Sequence, residues 1–294
     1  MNHEEFLPLL EVTREDGGRL VLPTGNPAAA RIDRGQLLAQ IIAVAAPPGD
    51  GKSVKSVHAA FPREARPDSP VYLDLEAIHE GRPVGLRRAT VWQDQTGGPV
   101  VAATASILLD EADDGLDEAD DGLDYQQDWP PDGTPEQAAA AFFAVVPGEA
   151  RLASATGLHD DRALPAEFSF WIRCPGIDGD VNSRALVAYV SDWPLIGTLL
   201  KAVPGVSERD AHLTLETAVL THSVWFHQPV NASGWLRLEV QGRRLAGGRG
   251  YGTGEVYSRA GELVASFAQE SVIRRRRGVG AAYQEPLTVI GRNQ

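Results

Sequence analysis

The sequence predicts an α+β protein in which a buried helix is followed by antiparallel strands, and in which this arrangement occurs twice. Two observations predict this fold class. An apolar segment of helical length, 35–46, precedes four short β-rich runs that are separated by turn residues. The same order of signals returns in the second half of the chain, after residues 191–203. A central helix wrapped by an antiparallel sheet is therefore expected in each half.

The first half begins with GQLLAQIIAVAA at 35–46, which has the length and propensity of a buried helix. Turn residues such as Glu80-Gly81 and Thr96-Gly97-Gly98 separate the strand signals that follow it. The predicted strands are 54–61, 71–78, 84–93 and 100–109.

The second half begins with SDWPLIGTLLKAV at 191–203, predicted as a helix with Ser191 or Asp192 as N-cap and Pro194 in its first turn. Its predicted strands are 213–227, 234–244, 250–258 and 263–274. Matching Ser56-Val57 with Ser223-Val224 gives an offset of 167, and matching Val101-Ala102 with Val264-Ala265 gives 163. The two halves thus align with a four-residue difference in length, which indicates an internal repeat.

Composition excludes several classes of protein. The chain has 294 residues, 40 acidic against 27 basic side chains and a net charge of −13, so we expect no nucleic-acid partner and no anionic membrane surface. The longest charge-free apolar run, 35–49, is too short to span a bilayer, so no membrane association is predicted. A single cysteine, Cys174, and an N-terminus without a signal-like pattern favour a cytoplasmic protein.

A tandem acidic repeat separates the two halves. Residues 111–117 and 118–124 both read EADDGLD, and their glycines disfavour a helix. The spacing lacks the alternating oxygen ligands of a calcium loop, so we predict a solvated linker and no metal. The expected domains are 1–109, an N-terminal unit, 110–135, the linker, and 136–294, a C-terminal unit that carries the functional residues.

Several strings, in order along nearly the whole chain, carry a resemblance to a known family. In the first half they are Gly35-Gln36, Ser56-Val57-His58 and the segment from Gly81-Arg82 to Arg87-Arg88. In the second half they are YVSD at 189–192, HSVWFHQP at 222–229, GGRG at 247–250 and LVASFAQE at 263–270. On these residues the sequence resembles the type II acyl-CoA thioesterases, which are double hotdog proteins. The resemblance implies two helix-wrapping antiparallel sheets that can join into one continuous sheet.

The resemblance also implies a reaction and its residues. The family hydrolyses fatty acyl-CoA to free acid and CoA without a cofactor, a metal or a covalent intermediate, and an Asp, a Gln and a Ser or Thr hold the water. The Asp falls on Asp192 and the Gln on Gln269. The hydroxyl residue should lie three positions before His222, where this sequence has Val219. Thr221, nearest the matched string, is the preferred substitute, and a local bulge or a shifted water would let it take part.

Asp192 can accept a proton from water, and a helix N-terminus beside it can stabilise an oxyanion. Candidates for contact with the acyl-CoA substrate are His58 and the Gly248-Arg249 pair, whose guanidinium suits a CoA phosphate. A packing role for His58, and a solvated glycine turn for the pair, are the competing interpretations. His222 and His227 lie five residues apart on a strand, point to opposite faces and so predict no shared metal.

The sequence therefore predicts an acyl-CoA thioesterase that acts through an activated water. Val219 favours one alternative, a non-catalytic acyl-CoA binding protein with a decayed site. A hotdog hydratase is a second alternative, disfavoured because no Asp and His pair stands at a helix start. Exposed sheet edges also make a homo-oligomer an expectation.

Overall fold

The fold is built around one antiparallel sheet that runs through both halves of the chain. The computed structural model describes residues 1–15, 18–26, 29–46, 51–95, 98–111, 134–136, 138–141, 146–160, 162–211 and 213–276. Within these residues thirteen strands pair in the order β1-β2-β4-β5-β6-β3-β10-β13-β12-β11-β9-β8-β7. All the strand pairs are antiparallel. The predicted α+β class is confirmed, and the sheets of the two halves are joined into one.

The N-terminal half holds two helices and six strands among the described residues. The predicted strands at 54–61, 71–78, 84–93 and 100–109 are confirmed as β3 to β6, and the helix at 35–46 as α2. The elements are α1 His3–Phe6, a 3₁₀ turn Leu7–Leu10, β1 Thr13–Arg14, β2 Leu20–Leu22, α2 Arg34–Ala45, β3 Lys52–Ala60, β4 Val71–Glu80, β5 Val84–Gln95 and β6 Gly98–Glu111.

The C-terminal half repeats this plan. The four strands predicted at its end are confirmed as β10 to β13, whereas β7, β8 and β9 were not anticipated. The elements are β7 Ala139–Ala141, β8 Glu149–Leu152, β9 Glu167–Arg173, α3 Asp180–Ser191, α4 Pro194–Leu200, a 3₁₀ turn Glu208–Asp210, β10 Leu215–Phe226, β11 Leu236–Ala246, β12 Arg249–Ser258 and β13 Leu263–Arg275.

The central helix of this half differs from the prediction. The counterpart of α2 is α3, since the two helices pack against each other and each has 12 residues. The predicted helix at 191–203 is wrong in its start, because α4 begins only at Pro194 with Trp193 as N-cap. Asp192 is instead the C-cap of α3. Proline at the first helical position fits a helix start but not a helix interior, which explains the break between α3 and α4.

The halves meet where β3 pairs with β10, and Val57 pairs there with Val224. This pairing places a pseudo-two-fold axis at the two valines and agrees with the 167-residue offset. Val57 also pairs with Ile107 on β6, and Val224 pairs with Phe267 on β13, so Ile107 and Phe267 are equivalent positions. Their offset is 160 residues, which corrects the predicted second offset of 163. Both valines are fully buried in a core that includes α2, α3 and the inward faces of both half-sheets.

Of the tandem repeat and the predicted linker 110–135, only residues 110, 111, 134 and 135 are among those described. No described helix is long and apolar enough to cross a membrane.

Candidate active site

Asp192 lies where the end of α3 meets the start of α2. It follows the last residue of α3, and the helix start beside it is that of α2, whose N-cap is Asp33. The sequence had predicted that Asp192 would occupy the N-terminus of its own helix. The helix N-terminus near the carboxylate therefore comes from the other half of the chain.

Gly35 makes this approach possible. A Cβ atom at position 35 would lie 2.4 Å from the carbonyl oxygen of Tyr189 and 3.2 Å from Cβ of Asp192. Real Cβ atoms do not come so close to a backbone oxygen, so only glycine lets the first turn of α2 lie against the last turn of α3. A backbone hydrogen bond from Gly35 then reaches the Asp192 carboxylate and favours its charged form.

Burial raises the pKa of the Asp192 carboxyl from 3.8 to about 6. The charge of Arg34 opposes this shift, Asp33 adds to it, and the Gly35 hydrogen bond and Arg31 lower the value again. One carboxylate oxygen, Oδ1, is buried and has no hydrogen-bond partner in the protein. At neutral pH the site thus presents a carboxylate with a free acceptor and with the proton affinity that a general base needs.

Gln269, on the inward face of β13, is 2% exposed and is held by two neighbours. Its Oε1 lies 2.9 Å from Nδ1 of His222, and its Nε2 donates to Oγ of Ser271 at 3.0 Å. The amide keeps one N–H and one oxygen lone pair for another partner. The side chain is therefore oriented firmly without being saturated.

His222 connects Gln269 to the helix that carries Asp192. Its Nε2 lies 2.8 Å from Oγ of Ser191, the residue before Asp192. Burial lowers the pKa of His222 to about 4, and the hydrogen bond to Gln269 opposes that shift. A neutral imidazole that donates from Nδ1 to Gln269 accepts at Nε2 from Ser191, whose single hydroxyl proton then goes to His222 rather than to the carbonyl oxygen of Ala188, 3.1 Å away. The sequence analysis considered His222 only as a metal ligand and missed this role.

A bulge decides which residues of β10 face this group. Val219 pairs with Ser271 and Thr221 with Glu270, so Leu220 is an extra residue in the strand. Thr217, Val219 and His222 consequently share the buried face, whereas Thr221 is exposed on the other face. Thr221, which the sequence favoured for the catalytic hydroxyl, therefore lies on the face opposite His222 and Gln269, and its catalytic role stays a prediction.

The three predicted substrate-contact residues lie outside this group. His58 is exposed on β3, where its ring packs edge-on against Trp225 at 5.1 Å and burial lowers its pKa. Arg249 is 46% exposed, and its Nε is 3.8 Å from Oε1 of Glu270. Gly248, with φ of +74°, turns the chain beside the Arg274 side chain. The structure links Gln269 through His222 to Ser191, the residue before Asp192, but does not bring these three residues to that group.

The N-terminal half of the repeat has no equivalent site. Ala46, the C-cap of α2, occupies the position that corresponds to Asp192. Counting along β6 and β13 from the Ile107 and Phe267 pair, Leu109 corresponds to Gln269. Both residues are apolar and buried. Within the described residues the carboxylate and amide therefore occur at only one of the two pseudo-equivalent positions.

Two helices packed against one continuous antiparallel sheet, with a buried carboxylate where the helices meet, are the features of a double hotdog protein. The family described as acyl-CoA thioesterase C-terminal domain matches residues 120–273, and the acyl-CoA thioesterase N-terminal domain matches residues 30–108. The chain belongs to the acyl-CoA thioesterase family, and its reaction is the hydrolysis of acyl-CoA.

Curated relatives extend over most of the chain. Acyl-coenzyme A thioesterase 8 of Rattus norvegicus is 28% identical over 277 residues, which are 85% of this chain and 82% of the rat protein. Acyl-CoA thioesterase 2 of Haemophilus influenzae is 28% identical over 256 residues, which are 82% of this chain and 86% of that protein.

Solved structures show the same fold. The tesB protein of Mycobacterium avium subsp. paratuberculosis has a TM-score of 0.71 at 24% identity, covering 93% of this chain and 99% of its own. The acyl-CoA thioesterase II TesB2 of Mycobacterium marinum has a TM-score of 0.67 at 22% identity, covering 94% and 99%.

Proposed function

We propose that acyl-CoA hydrolysis in this chain takes place at the junction of α2 and α3, with Asp192 as general base and Gln269 as the residue that orients the water. The observation that carries this proposal is the buried Asp192 carboxylate, which has an oxygen without a protein partner and a pKa of about 6. A buried acceptor of this kind is stable only if a polar ligand or water completes it.

The chemistry needs one water and one proton carrier. Asp192 accepts a proton as the water oxygen attacks the thioester carbonyl carbon, and the carbonyl oxygen becomes an oxyanion. When the tetrahedral intermediate collapses, the carbon–sulfur bond breaks. The CoA sulfur leaves with the proton that Asp192 returns, and the acyl group leaves as the free acid. No covalent enzyme intermediate is required.

Gln269 orients the water with the N–H that Ser271 does not use. His222 and Ser191 position Gln269, since they fix its carbonyl end through hydrogen bonds of 2.9 and 2.8 Å. These two residues are positioning residues in this proposal. A neutral His222 suits that task, because a protonated ring would lose its acceptor for the Ser191 hydroxyl.

The test is thiol release from short, medium and long acyl-CoA substrates. We expect Asp192→Asn to lower kcat by roughly 10² or more, the scale of a positioned base. We expect Gln269→Ala to lower kcat with little change in KM, because the amide acts on the water and not on the ligand.

Asp74→Asn is a matched control, since this exposed carboxylate on β4 accepts a hydrogen bond from the Trp92 indole and lies outside the site. Full turnover by Asp192→Asn would exclude Asp192 as the base. A native chain that binds acyl-CoA without releasing thiol would favour the non-catalytic alternative.

We also propose a cytoplasmic location and self-association. The single, buried Cys174 suits a reducing compartment.

The proposed self-association rests on exposed aromatic side chains. Trp225 and Tyr251 are 38% and 45% exposed, and large exposed aromatic side chains favour an interface with a second copy. Sedimentation velocity of the native chain and of Trp225→Ser tests this, and a native chain that stays monomeric at high concentration excludes it.

A further inference from the structure

Arg34, the first residue of α2, is a largely buried cation beside the candidate base. Its side chain is only 11% exposed. It acts on Asp192 electrostatically, and among the charged groups near that carboxyl it has the largest effect. Burial lowers the pKa of the Arg34 guanidinium, and Asp192 is the strongest influence in the opposite direction. The two side chains come from different halves of the chain.

The guanidinium is incompletely satisfied by the protein. Its Nε is buried and has no hydrogen-bond partner. Its Nη2 lies 3.9 Å from Oε1 of Glu64, at the limit of an ion pair, while Arg31 holds the same carboxylate oxygen at 3.0 Å. The rest of its surroundings includes the Phe61 ring, whose centroid is 5.9 Å from the guanidinium carbon. A buried donor of a charged group that lacks an acceptor costs free energy unless a ligand completes it.

Arg34 also lies next to the irregular part of β10. The Phe61 N–H donates to the carbonyl oxygen of Leu220 at 2.8 Å, and Leu220 is the bulged residue between Val219 and Thr221. The resemblance to the type II thioesterases implies a hydroxyl residue at position 219 of this strand. Val219 has no hydroxyl, and the Thr221 side chain faces outward. An unpaired donor, Nε of Arg34, and an unpaired acceptor, Oδ1 of Asp192, thus occur in the same site.

We propose that Arg34 is a catalytic residue of this chain, donating from Nε to the thioester carbonyl oxygen as negative charge develops on it. The N-terminal half would thereby supply the third polar group of a site whose base and water-orienting amide come from the C-terminal half. This inference rests on the proposed function of Asp192.

The charges of the step balance. The proton of the attacking water goes to Asp192, the electron pair of the carbonyl moves to its oxygen, and the guanidinium stays protonated throughout. A charged donor fixed in a site with little water interacts more strongly with an oxyanion than with a neutral carbonyl. Its effect therefore belongs to the transition state and should appear in kcat more than in KM.

The experiment compares Arg34→Gln, Arg34→Lys and Arg34→Ala in the full chain, with thiol release as the readout. We expect Arg34→Gln to lower kcat by about 10² to 10³ with KM changed only a few-fold, as for loss of one oxyanion donor. Arg34→Lys should recover part of the loss, and added guanidinium ion should raise kcat of Arg34→Ala but not of the native chain. Arg88→Gln is the matched control, since it removes an exposed guanidinium on β5 that pairs with Glu76 and lies outside the site.

The pH profile of kcat gives a second readout, which a merely structural role would not move. Asp192 faces Arg34, Asp33, Arg31 and Tyr189, and Glu64 lies beside the two arginines. Loss of the Arg34 charge should shift the acid limb of the profile to higher pH, since that charge favours the carboxylate.

Each result has a defined meaning. If Arg34→Gln keeps native kcat while Asp192→Asn loses it, the inference is wrong and the proposed function stands. A lower kcat in Arg34→Gln with an unmoved acid limb and no guanidinium rescue also overturns the inference, because a structural effect would explain it. If the native chain releases no thiol, both proposals fall.

Discussion

A carboxyl group that must be ionised at neutral pH and yet retain affinity for a proton needs an environment with opposing effects. At Asp192 burial raises the pKa, while Arg34 and the Gly35 hydrogen bond limit the rise to about 6. An ordinary exposed aspartate, with a pKa near 4, would be a weaker base. The value at Asp192 leaves most of the molecules in the carboxylate form at pH 7.

This environment predicts the pH dependence of catalysis. The carboxylate is the active form, so kcat should rise with pH, reach half its maximum near pH 6 and stay level up to about pH 8. The measurement is the loss of thioester absorbance in the ultraviolet between pH 4.5 and 9. An acid limb near pH 4 would instead show a solvent-exposed carboxyl as the base.

Circular dichroism at each pH is the control, because His222 affects stability in the same range. Its pKa is lowered from 6.5 to about 4 in the folded state, so the unfolded chain binds this proton first as the pH falls. The stability that His222 contributes is complete above about pH 6.5 and decreases towards pH 4. The activity profile is interpreted only where the fold is intact.

Sequence strings were sufficient to identify Asp192 and Gln269 as candidates, because each stands in a distinctive local context. The role of His222 could not be read in this way. Its partners Ser191 and Gln269 are 31 and 47 residues away along the chain, and only the pairing of β10 with β13 brings them together. The orphaned Nε of Arg34 depends in the same way on packing between distant segments.

At the scale of elements, the contact between the start of α2 and the end of α3 decides the geometry of the site. Gly35→Ala should destabilise the fold by roughly 1–3 kcal/mol, since the added methyl group overpacks the contact with Tyr189, although alanine is the better helix former. It should also lower kcat by moving α2 away from Asp192. Urea unfolding and thiol release measure the two effects.

Gly157→Ala is the matched control, because a Cβ at position 157 would meet no atom within 4 Å. If Gly35→Ala is as stable and as active as Gly157→Ala, the two helices have room to separate. In that case Gly35 does not hold the site together.

Element boundaries were harder to predict where two signals overlap. The run from Ser191 to Val203 suggested one helix, but Pro194 starts a new one and the preceding turn of chain belongs to α3. The bulge at Leu220 has no sequence mark such as glycine, and without it simple alternation would place Thr217, Val219 and Thr221 on one face. Pairing with β13 reversed the phase beyond Leu220, which explains why Thr221 faces outward.

At the scale of the whole molecule, the two halves share a sheet and a core. Val57 and Val224 pair at the junction with no exposed surface, and the buried faces of α2 and α3 lie against each other. Separating the halves would expose this apolar surface, so we expect them to unfold together.

Hydrogen exchange with mass spectrometry, at increasing urea concentration, tests this expectation. Peptides from β5 and β12, one in each half, should lose protection at the same midpoint. Protection that persists in one half after the other has exchanged would show two independent folding units.

The sequence predicted the repeated order of elements well, since that order depends on local patterns. It left open whether the sheets join, which depends on contact between β3 and β10.

The pseudo-two-fold axis through Val57 and Val224 also bears on how such a site can change. In a symmetric dimer of identical subunits every substitution is made twice, so a residue that helps one site must be tolerated at its mirror position. Covalent fusion removes that restriction. Arg34 begins α2 and Asp180 begins α3, so equivalent positions carry opposite charges, and Asp180 instead pairs with Arg184 at 2.6 Å. One copy of the repeat can thus specialise for chemistry while the other retains interactions that only hold the helices in place.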